Sequence, residues 1–170
     1  WRHFVVRSAT CQSPLLPEEF DGYRVVQLSD IHIGTFLRNR SLVDKLVRLV
    51  NEQRPDLVVF TGDLVNVSAH EVIPFQHALK QIEARDGVFS VMGNHDYCEY
   101  GEDKSLGNIR KNQTVLKYLE QKIGWRLLLN EHVSIRRDGA TIELIGVENI
   151  SRPPFPDYGD LTKALKGTAE

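Results

Sequence analysis

The chain has 170 residues, of which 41% are hydrophobic and 26% are charged. This length is typical of one domain, and these proportions exclude wholesale disorder. Lysine and arginine total 21 against 23 aspartate and glutamate, a net charge of -2, which argues against specific nucleic-acid binding. The two cysteines, Cys11 and Cys98, fit neither a disulfide framework nor a thiolate metal site.

Three short apolar runs, Arg24–Leu28, Leu57–Phe60 and Val88–Met92, are typical of strands buried on both faces of a parallel sheet. After the first run, Ser41 and Asp44 resemble a capping box. A helical stripe follows it, formed by Leu42, Val43, Leu46, Val47 and Val50. A second stripe precedes the third run, formed by Phe75, Ala78, Leu79 and Ile82 and ended by Gly87. This order predicts right-handed strand–helix–strand crossovers.

The pattern changes after the third run, where Tyr97 to Asn112 are polar and predict a loop. The next helical stripe is formed by Val115, Leu116, Leu119 and Ile123, and Gly124 ends it. Three further strands are predicted at Arg126–Leu129, Val133–Arg137 and Ala140–Val147. Asp138-Gly139 favours a type I′ turn between the last two. A stiff loop at Pro153, Pro154 and Pro156 and a short helix at Asp160–Leu165 complete the prediction.

Polar side chains follow each of the first three predicted strands, in Ser29–His32, Thr61–Asp63 and Gly93–Asp96. Asp30 and Asp63 are 33 residues apart, and Asp63 and Asn94 are 31 apart, about one strand–helix–strand unit each. The motifs therefore meet at the carboxyl edge of the predicted sheet, where ligands bind in open α/β folds.

These residue types suit a metal ion. Asp30 and His32 are two apart on a chain expected to be extended, so their side chains point to the same side. Asp63 adds a carboxylate that can bridge two cations, and Asn94 offers an amide oxygen. Without thiolate, this set suits Mn²⁺, Fe, Zn²⁺ or Mg²⁺, and a pair of such ions would activate water at a phosphoryl group.

His95 is expected to donate a proton or stabilise charge, with Asp96 orienting its ring. Each motif alone has an ordinary alternative, as turn residues or a helix cap. Their occurrence in order, at the ends of three successive predicted strands, favours a site.

Asp30-Ile31-His32, Gly62-Asp63 and Gly93-Asn94-His95-Asp96 resemble the D-x-H, GD and GNH[DE] motifs of the calcineurin-like metallophosphoesterases. The resemblance extends from about Tyr23 to Leu165 and implies an α/β fold, the αββα four-layer sandwich, with two divalent ions. It implies that Asp30 and His32 bind the first metal, Asp63 bridges, and Asn94 binds the second. His95 would assist the leaving group, with Asp96 as its partner.

The segment Val25–Gly34 is similar to that of bacterial phosphohydrolases, which are often membrane-associated. Some relatives hydrolyse the pyrophosphate of UDP-2,3-diacylglucosamine, and one branch of these carries Arg where this chain has His95. The resemblance thus implies a small phosphorylated substrate, a nucleotide-linked lipid precursor among the candidates, and a parent protein in contact with a bacterial membrane.

The family completes its site with a downstream His and a Gly-His-x-His motif, whereas His132, between two predicted strands, is the one histidine after Asp96. We therefore expect residues 1–170 to form a single domain that is incomplete at its C-terminus, with the first sheet and the start of the second. The second metal would keep Asp63 and Asn94 alone. We expect an active parent enzyme and a weakly active or inactive chain. The alternative is a non-catalytic binding or oligomerisation module that associates through an unpaired sheet edge.

Other polar residues have weaker claims. Arg38 and Arg40 would bind a substrate phosphate or form a solvated loop flank. Cys98 is interpreted as a neighbour of the site without a redox role, since no cation beside it is evident. The remaining histidines, His3, His70 and His77, are interpreted as surface residues. Trp1 and Arg2 would suit a membrane interface.

Overall fold

The computed structural model describes residues 4–153, 155 and 157–168. Trp1, Arg2, His3, Pro154 and Pro156 lie outside the described residues. Four strands form a parallel sheet: β1 at Val25–Leu28, β2 at Leu57–Phe60, β3 at Val88–Ser90 and β4 at Trp125–Leu127. Their order in the sheet is β1-β2-β3-β4. The first three confirm the predicted parallel strands, and the fourth begins one residue before the predicted Arg126.

The first crossover helix, α1, spans Ser41–Glu52 and packs its apolar stripe against the sheet. Val43, Val47 and Val50 are buried there. The predicted capping box at Ser41 is wrong, because Arg40 holds the N-cap position and the Ser41 hydroxyl donates to Asn39 instead, at 2.8 Å.

The second crossover contains little α-helix. A 3₁₀ helix over Ala69–Phe75 leads into one α-helical turn, α2, at Gln76–Leu79. Pro74 lacks an N–H and so disfavours a regular α-helix here. The helix does not reach Gly87, which instead takes a φ of +103° in the turn before β3.

The third helix, α3, spans Leu106–Lys122, so the predicted loop through Asn112 is wrong. The Ser105 hydroxyl caps it by accepting the Asn108 N–H at 3.3 Å, and Asn112 is buried within it. Polar composition suggested a loop, but tertiary packing outweighs that weak propensity. Gly124 follows the helix at a φ of +89°.

The other face of the sheet is covered by an antiparallel hairpin, β5 at Glu131–Arg137 and β6 at Ala140–Gly146. Asp138 and Gly139 both have positive φ, 49° and 94°, as a type I′ turn requires. A second apolar cluster fills the space between sheet and hairpin: Phe20, Leu57, Phe89, Leu128 and Ile135.

His132 lies within β5, not between two strands. Because strand side chains alternate, it faces away from Ile135 and contacts the carbonyl of Ala164 at 2.9 Å. Ala164 ends the short helix α4, Leu161–Ala164, which Asp160 caps. Crossover helices, parallel sheet, hairpin and α4 thus follow one another in αββα order, as the predicted fold class requires.

Candidate metal centre

The loops that follow β1, β2 and β3 are joined by hydrogen bonds at the carboxyl edge of the sheet. The Asp30 N–H donates to the Gly62 carbonyl and the His32 N–H to the Asp63 carbonyl, both at 3.0 Å. The His95 N–H donates to Asp63 Oδ1 at 2.9 Å. The three sequence motifs therefore lie side by side, as parallel strand topology predicted.

The backbone at these positions is unusual. Asp30, His32 and Asp63 have φ angles of 53°, 45° and 61°, in the left-handed region that side chains other than glycine seldom adopt. The expectation that Asp30 and His32 sit on an extended chain is wrong, because β1 ends at Leu28 and the chain turns immediately afterwards. Such backbone strain clusters at functional sites and persists where surrounding hydrogen bonds fix it.

Two glycines let the second and third loops approach each other. Gly62 has a φ of +101°, and a Cβ placed on it would overlap the backbone nitrogen of Gly93. A Cβ on Gly93 would in turn overlap Asp63 Oδ1. The glycines of the second and third motifs are thus required by close contact around the Asp63 carboxylate.

The His32 ring is turned so that one nitrogen is free to coordinate. Its Nδ1 lies 3.2 Å from the Val65 carbonyl, an acceptor, so Nδ1 is the donor and Nε2 is the nitrogen directed at the carboxylates. Nε2 lies 3.8 Å from Asp63 Oδ2 and 4.0 Å from Asp30 Oδ1. Ligand atoms about 2.0–2.2 Å from one cation are separated by roughly 3–4 Å, so His32 is close enough to each of these carboxylates to share a divalent ion with it.

His95 joins the same group. Its Nδ1 lies 2.6 Å from the Asn66 carbonyl, which leaves Nε2 as the free nitrogen, and its ring meets that of His32 edge-on at 4.7 Å between centroids. His32, Asp63 and His95 each offer one ligand atom within 4.8 Å of the others.

Asp96 does not orient the His95 ring, contrary to prediction. It is buried, and its carboxylate accepts four backbone N–H groups, those of Asp63, Leu64, Val65 and Gly93, at 2.7, 2.8, 3.2 and 3.0 Å. Burial raises the pKa of Asp96 to about 7; the Asp63 charge acts in the same direction and the N–H donors oppose it. Asp96 therefore clamps the second loop to the third, while the Asn66 carbonyl orients His95.

Asn94 contacts a residue that the sequence did not single out. Its side-chain amide donates to the Tyr100 hydroxyl at 3.0 Å, and the Tyr100 ring lies 4.6 Å from that of His95. Because the amide nitrogen makes this hydrogen bond, the amide oxygen is the atom available to bind a cation. Asn66 and Tyr100 were both missed, because one acts through its main chain and the other lies in a predicted loop.

The weaker candidates are not among the three residues that share the possible cation site. Arg38 and Arg40 are exposed, as are His70 and His77. Cys98 is buried, with its sulfur 3.5 Å from the Asp96 carbonyl. Burial raises the pKa of the Cys98 thiol to about 12, with the Asp96 charge adding to the effect, so it is not a reactive thiolate at neutral pH.

Comparison with known proteins places these residues in a family context. The sequence profile of the calcineurin-like phosphoesterases matches residues 23–164. The chain is 31% identical to the Bacillus subtilis metallophosphoesterase YkuE over 155 residues, covering 88% of this chain and 49% of that protein. It is 34% identical to a zebrafish (Danio rerio) transmembrane protein with a metallophosphoesterase domain, covering 89% and 33%.

A third relative is the UDP-2,3-diacylglucosamine pyrophosphatase LpxG of Chlamydia trachomatis, 36% identical over 89 residues, 50% of this chain and 27% of LpxG. The chain thus spans half or less of each of these three relatives. Among the described residues, no helix has the length and apolarity needed to cross a bilayer.

Proposed function

The chain belongs to the calcineurin-like phosphoesterase family, and from that premise we propose that the protein hydrolyses a phosphoester or pyrophosphate with the help of divalent cations. One observation carries the proposal. The Nδ1 edge of the His32 ring faces the Val65 carbonyl, and its Nε2 lies 4.0 and 3.8 Å from carboxylate oxygens of Asp30 and Asp63. An imidazole nitrogen beside two carboxylates is a set of ligands that divalent cations bind.

Asp30, His32 and Asp63 would hold the first cation, and Asp63 with the amide oxygen of Asn94 would contribute to a second. When bound, such cations lower the pKa of a water molecule and offset negative charge on a phosphoryl group. Oxygen and imidazole donors suit Mn²⁺, Fe, Zn²⁺ or Mg²⁺.

His95 would donate a proton to the leaving oxygen or stabilise its charge. Its Nδ1–H is held by the Asn66 carbonyl at 2.6 Å, which fixes the ring and keeps Nε2 available for the substrate side. The same geometry lets His95 act as a further cation ligand, since its ligand atom lies within 4.8 Å of those of His32 and Asp63.

The substrate class that we propose is a small phosphorylated molecule, with a nucleotide-linked lipid pyrophosphate as the leading candidate. The support is the similarity to LpxG, which is named for that activity on UDP-2,3-diacylglucosamine. Exposed Arg38 and Arg40, in the loop between the first motif and α1, would offer guanidinium groups to a phosphate.

The test is hydrolysis of bis(p-nitrophenyl) phosphate, p-nitrophenyl phosphate and UDP-2,3-diacylglucosamine in metal-free buffer and with added Mn²⁺. We expect Mn²⁺-dependent turnover that falls more than about 100-fold in Asp63→Asn, since even partners outside the ligand shell cost about 10–100-fold. Asp86→Asn, which alters a carboxylate bonded to Tyr23, is the control and should retain the rate. Equal rates in Asp63→Asn and the unsubstituted protein would overturn the proposal and favour a non-catalytic module.

A further inference from the structure

Two adjacent peptide carbonyls orient both imidazoles of the metal centre. The Val65 carbonyl faces His32 Nδ1 at 3.2 Å, and the Asn66 carbonyl faces His95 Nδ1 at 2.6 Å. Whatever fixes this dipeptide therefore fixes which nitrogen of each ring carries the proton and where the free nitrogen points.

The dipeptide is held on both sides by carboxylates. On its N-terminal side, the N–H groups of Leu64 and Val65 donate to the Asp96 carboxylate. On its C-terminal side, Glu71 Oε2 accepts the Asn66 N–H at 2.7 Å, while Glu71 Oε1 accepts those of Val67 and Ser68 at 3.0 and 3.1 Å. Three successive N–H groups on one ionised carboxylate form charge-assisted hydrogen bonds, which are stronger than neutral ones.

Glu71 also sets the distance between this segment and the loop after β1. A Cβ on Gly34 would lie 2.5 Å from Glu71 Oε2 and 2.7 Å from Asn66 Oδ1, so the first loop packs directly on the carboxylate. The Glu71 carboxylate thus touches the loop that follows His32 and binds the residue whose carbonyl holds His95.

We propose that Glu71 is a positioning residue for both imidazoles. By holding the N–H groups of Asn66 and Val67, which belong to the same peptide units as the Val65 and Asn66 carbonyls, it keeps those carbonyls against the Nδ1 atoms and both Nε2 atoms directed at the metal centre. The inference rests on the proposed function for its purpose, although the geometry stands without it. The competing explanation is that Glu71 only caps the 3₁₀ helix, since Ser68 and Glu71 form a capping box.

Glu71→Gln and Ser68→Ala separate these explanations. Ser68→Ala removes the hydroxyl of the box, whereas Glu71→Gln keeps a residue type that completes a capping box but weakens the hold on the N–H groups of Asn66 and Val67. A Gln amide accepts hydrogen bonds only through its oxygen, so a backbone N–H that faced the other carboxylate oxygen would meet an NH₂ donor instead. Long-range ¹H–¹⁵N spectra of the metal-free protein above the titration of histidine report the tautomers, with assignment by His32→Gln and His95→Gln. We expect both rings as Nδ1–H in the unsubstituted protein and in Ser68→Ala, and a mixture of tautomers at His95 in Glu71→Gln.

Calorimetric titration with Mn²⁺ gives a second readout. The dissociation constant should rise about tenfold in Glu71→Gln, the lower end for a residue that orients a ligand, and stay unchanged in Ser68→Ala. Unchanged tautomers and equal Mn²⁺ affinity in both variants would overturn the inference and leave a helix cap. If Glu71→Gln does not fold, Glu71→Asp, which keeps the charge but shortens the reach, replaces it and is subject to the same outcomes. If the unsubstituted protein binds no Mn²⁺, the proposed function fails, while the tautomer comparison still decides the role of Glu71.

Discussion

The acidic side chains at the two edges of the parallel sheet have different partners. At the amino edge, the Asp56 carboxylate accepts the Arg24 N–H at 2.8 Å, pairs with Arg85, and lies 3.9 Å from Arg137 at the end of β5. At the carboxyl edge, the Asp63 carboxylate faces Nε2 of the His32 imidazole at 3.8 Å. The Asp56 carboxylate is thus paired with arginine side chains of the same chain, whereas the Asp63 carboxylate is placed to bind a metal cation.

The charged side chains at the amino edge therefore stabilise the fold, whereas those at the carboxyl edge form the candidate metal centre. The amino edge joins strand starts, a turn and the hairpin: Tyr23 donates to Asp86 at 2.6 Å, and the Asp86 N–H donates to the Asp56 carbonyl at 2.7 Å. The carboxyl edge instead uses left-handed backbone at Asp30 and Asp63 to bring donors together. Substitutions of charged side chains at the amino edge should therefore lower stability without lowering hydrolysis.

The largest effect is expected from a pair of glycines at opposite edges. Gly62 and Gly87 have nearly equal φ angles, +101° and +103°, but a Cβ on Gly62 would overlap Gly93, whereas one on Gly87 would meet only the Phe89 side chain at 3.6 Å. Gly87→Ala should cost about 1–2 kcal/mol of unfolding free energy from the left-handed backbone. Gly62→Ala should cost more than about 3 kcal/mol. Urea denaturation measures both, and equal costs would show that the loops do not need this close approach.

Next in size is the ion pair of the amino edge. Asp56→Asn should lower the unfolding free energy by about 2–3 kcal/mol, below the figure for a fully buried pair because Arg85 is largely exposed. Hydrolysis per folded molecule should not change. Burial alone would raise the pKa of Asp56, but bonds from Arg24 and Arg85 lower it below its ordinary value.

The sign of the pH dependence follows from that lowered pKa. The stabilisation by Asp56 is present above the pKa of the unfolded chain and is lost as pH falls through the lower, folded value. Acid denaturation should therefore be steeper in the unsubstituted protein than in Asp56→Asn. Parallel acid curves would contradict the assigned role.

Behind the carboxyl edge, a buried acid has the opposite pH dependence. Ser90, the last residue of β3, donates to the carboxylate of Glu120 on α3. Burial raises the pKa of Glu120 to about 8, and the Asp96 charge adds to the shift. Because the folded pKa is raised, stability falls as pH rises from the ordinary value of a glutamate to about 8.

Glu120→Gln removes that ionisation and should raise the unfolding free energy by about 1–2 kcal/mol at pH 8.5, with little change at pH 5. Thermal denaturation at the two pH values measures it. The unsubstituted protein should thus weaken in alkali through Glu120 and in acid through Asp56. A Glu120→Gln curve that keeps the alkaline slope would assign that slope to another group.

Much of this arrangement could be predicted from the sequence, since it follows from short-range pattern. Apolar runs gave the parallel strands, and their spacing placed Asp30, Asp63 and Asn94 at one edge. The conformation of Asp30 and His32 could not be predicted, because residues from distant loops stabilise their left-handed backbone. The length of the second crossover helix was overestimated, since the apolar stripe continues to Ile82 while α2 ends at Leu79.

The parts of the site that could not be predicted from the sequence act through main-chain groups. Main-chain carbonyls orient the two imidazoles, and every residue type carries such a carbonyl, so neither Val65 nor Asn66 has a sequence signature for this role. Asp96 was read as a partner of its neighbour His95, although its four bonds go to backbone N–H groups. Ser68 and Glu71 do carry a readable signal, the capping box, but that signal reports a helix start and says nothing of the rings.

The smallest effect, and the finest test of the carboxyl edge, is expected from Tyr100. Tyr100→Phe keeps the ring beside His95 and removes the hydroxyl that accepts the Asn94 amide N–H. Asn94 can then rotate and lose the orientation that presents its oxygen, so hydrolysis at subsaturating Mn²⁺ should fall about three- to tenfold and recover at high Mn²⁺. Tyr118→Phe, on the exposed side of α3, is the matched control and should behave as the unsubstituted protein does. A loss in Tyr100→Phe that persists at saturating Mn²⁺ would mean that the hydroxyl acts on the substrate rather than on Asn94.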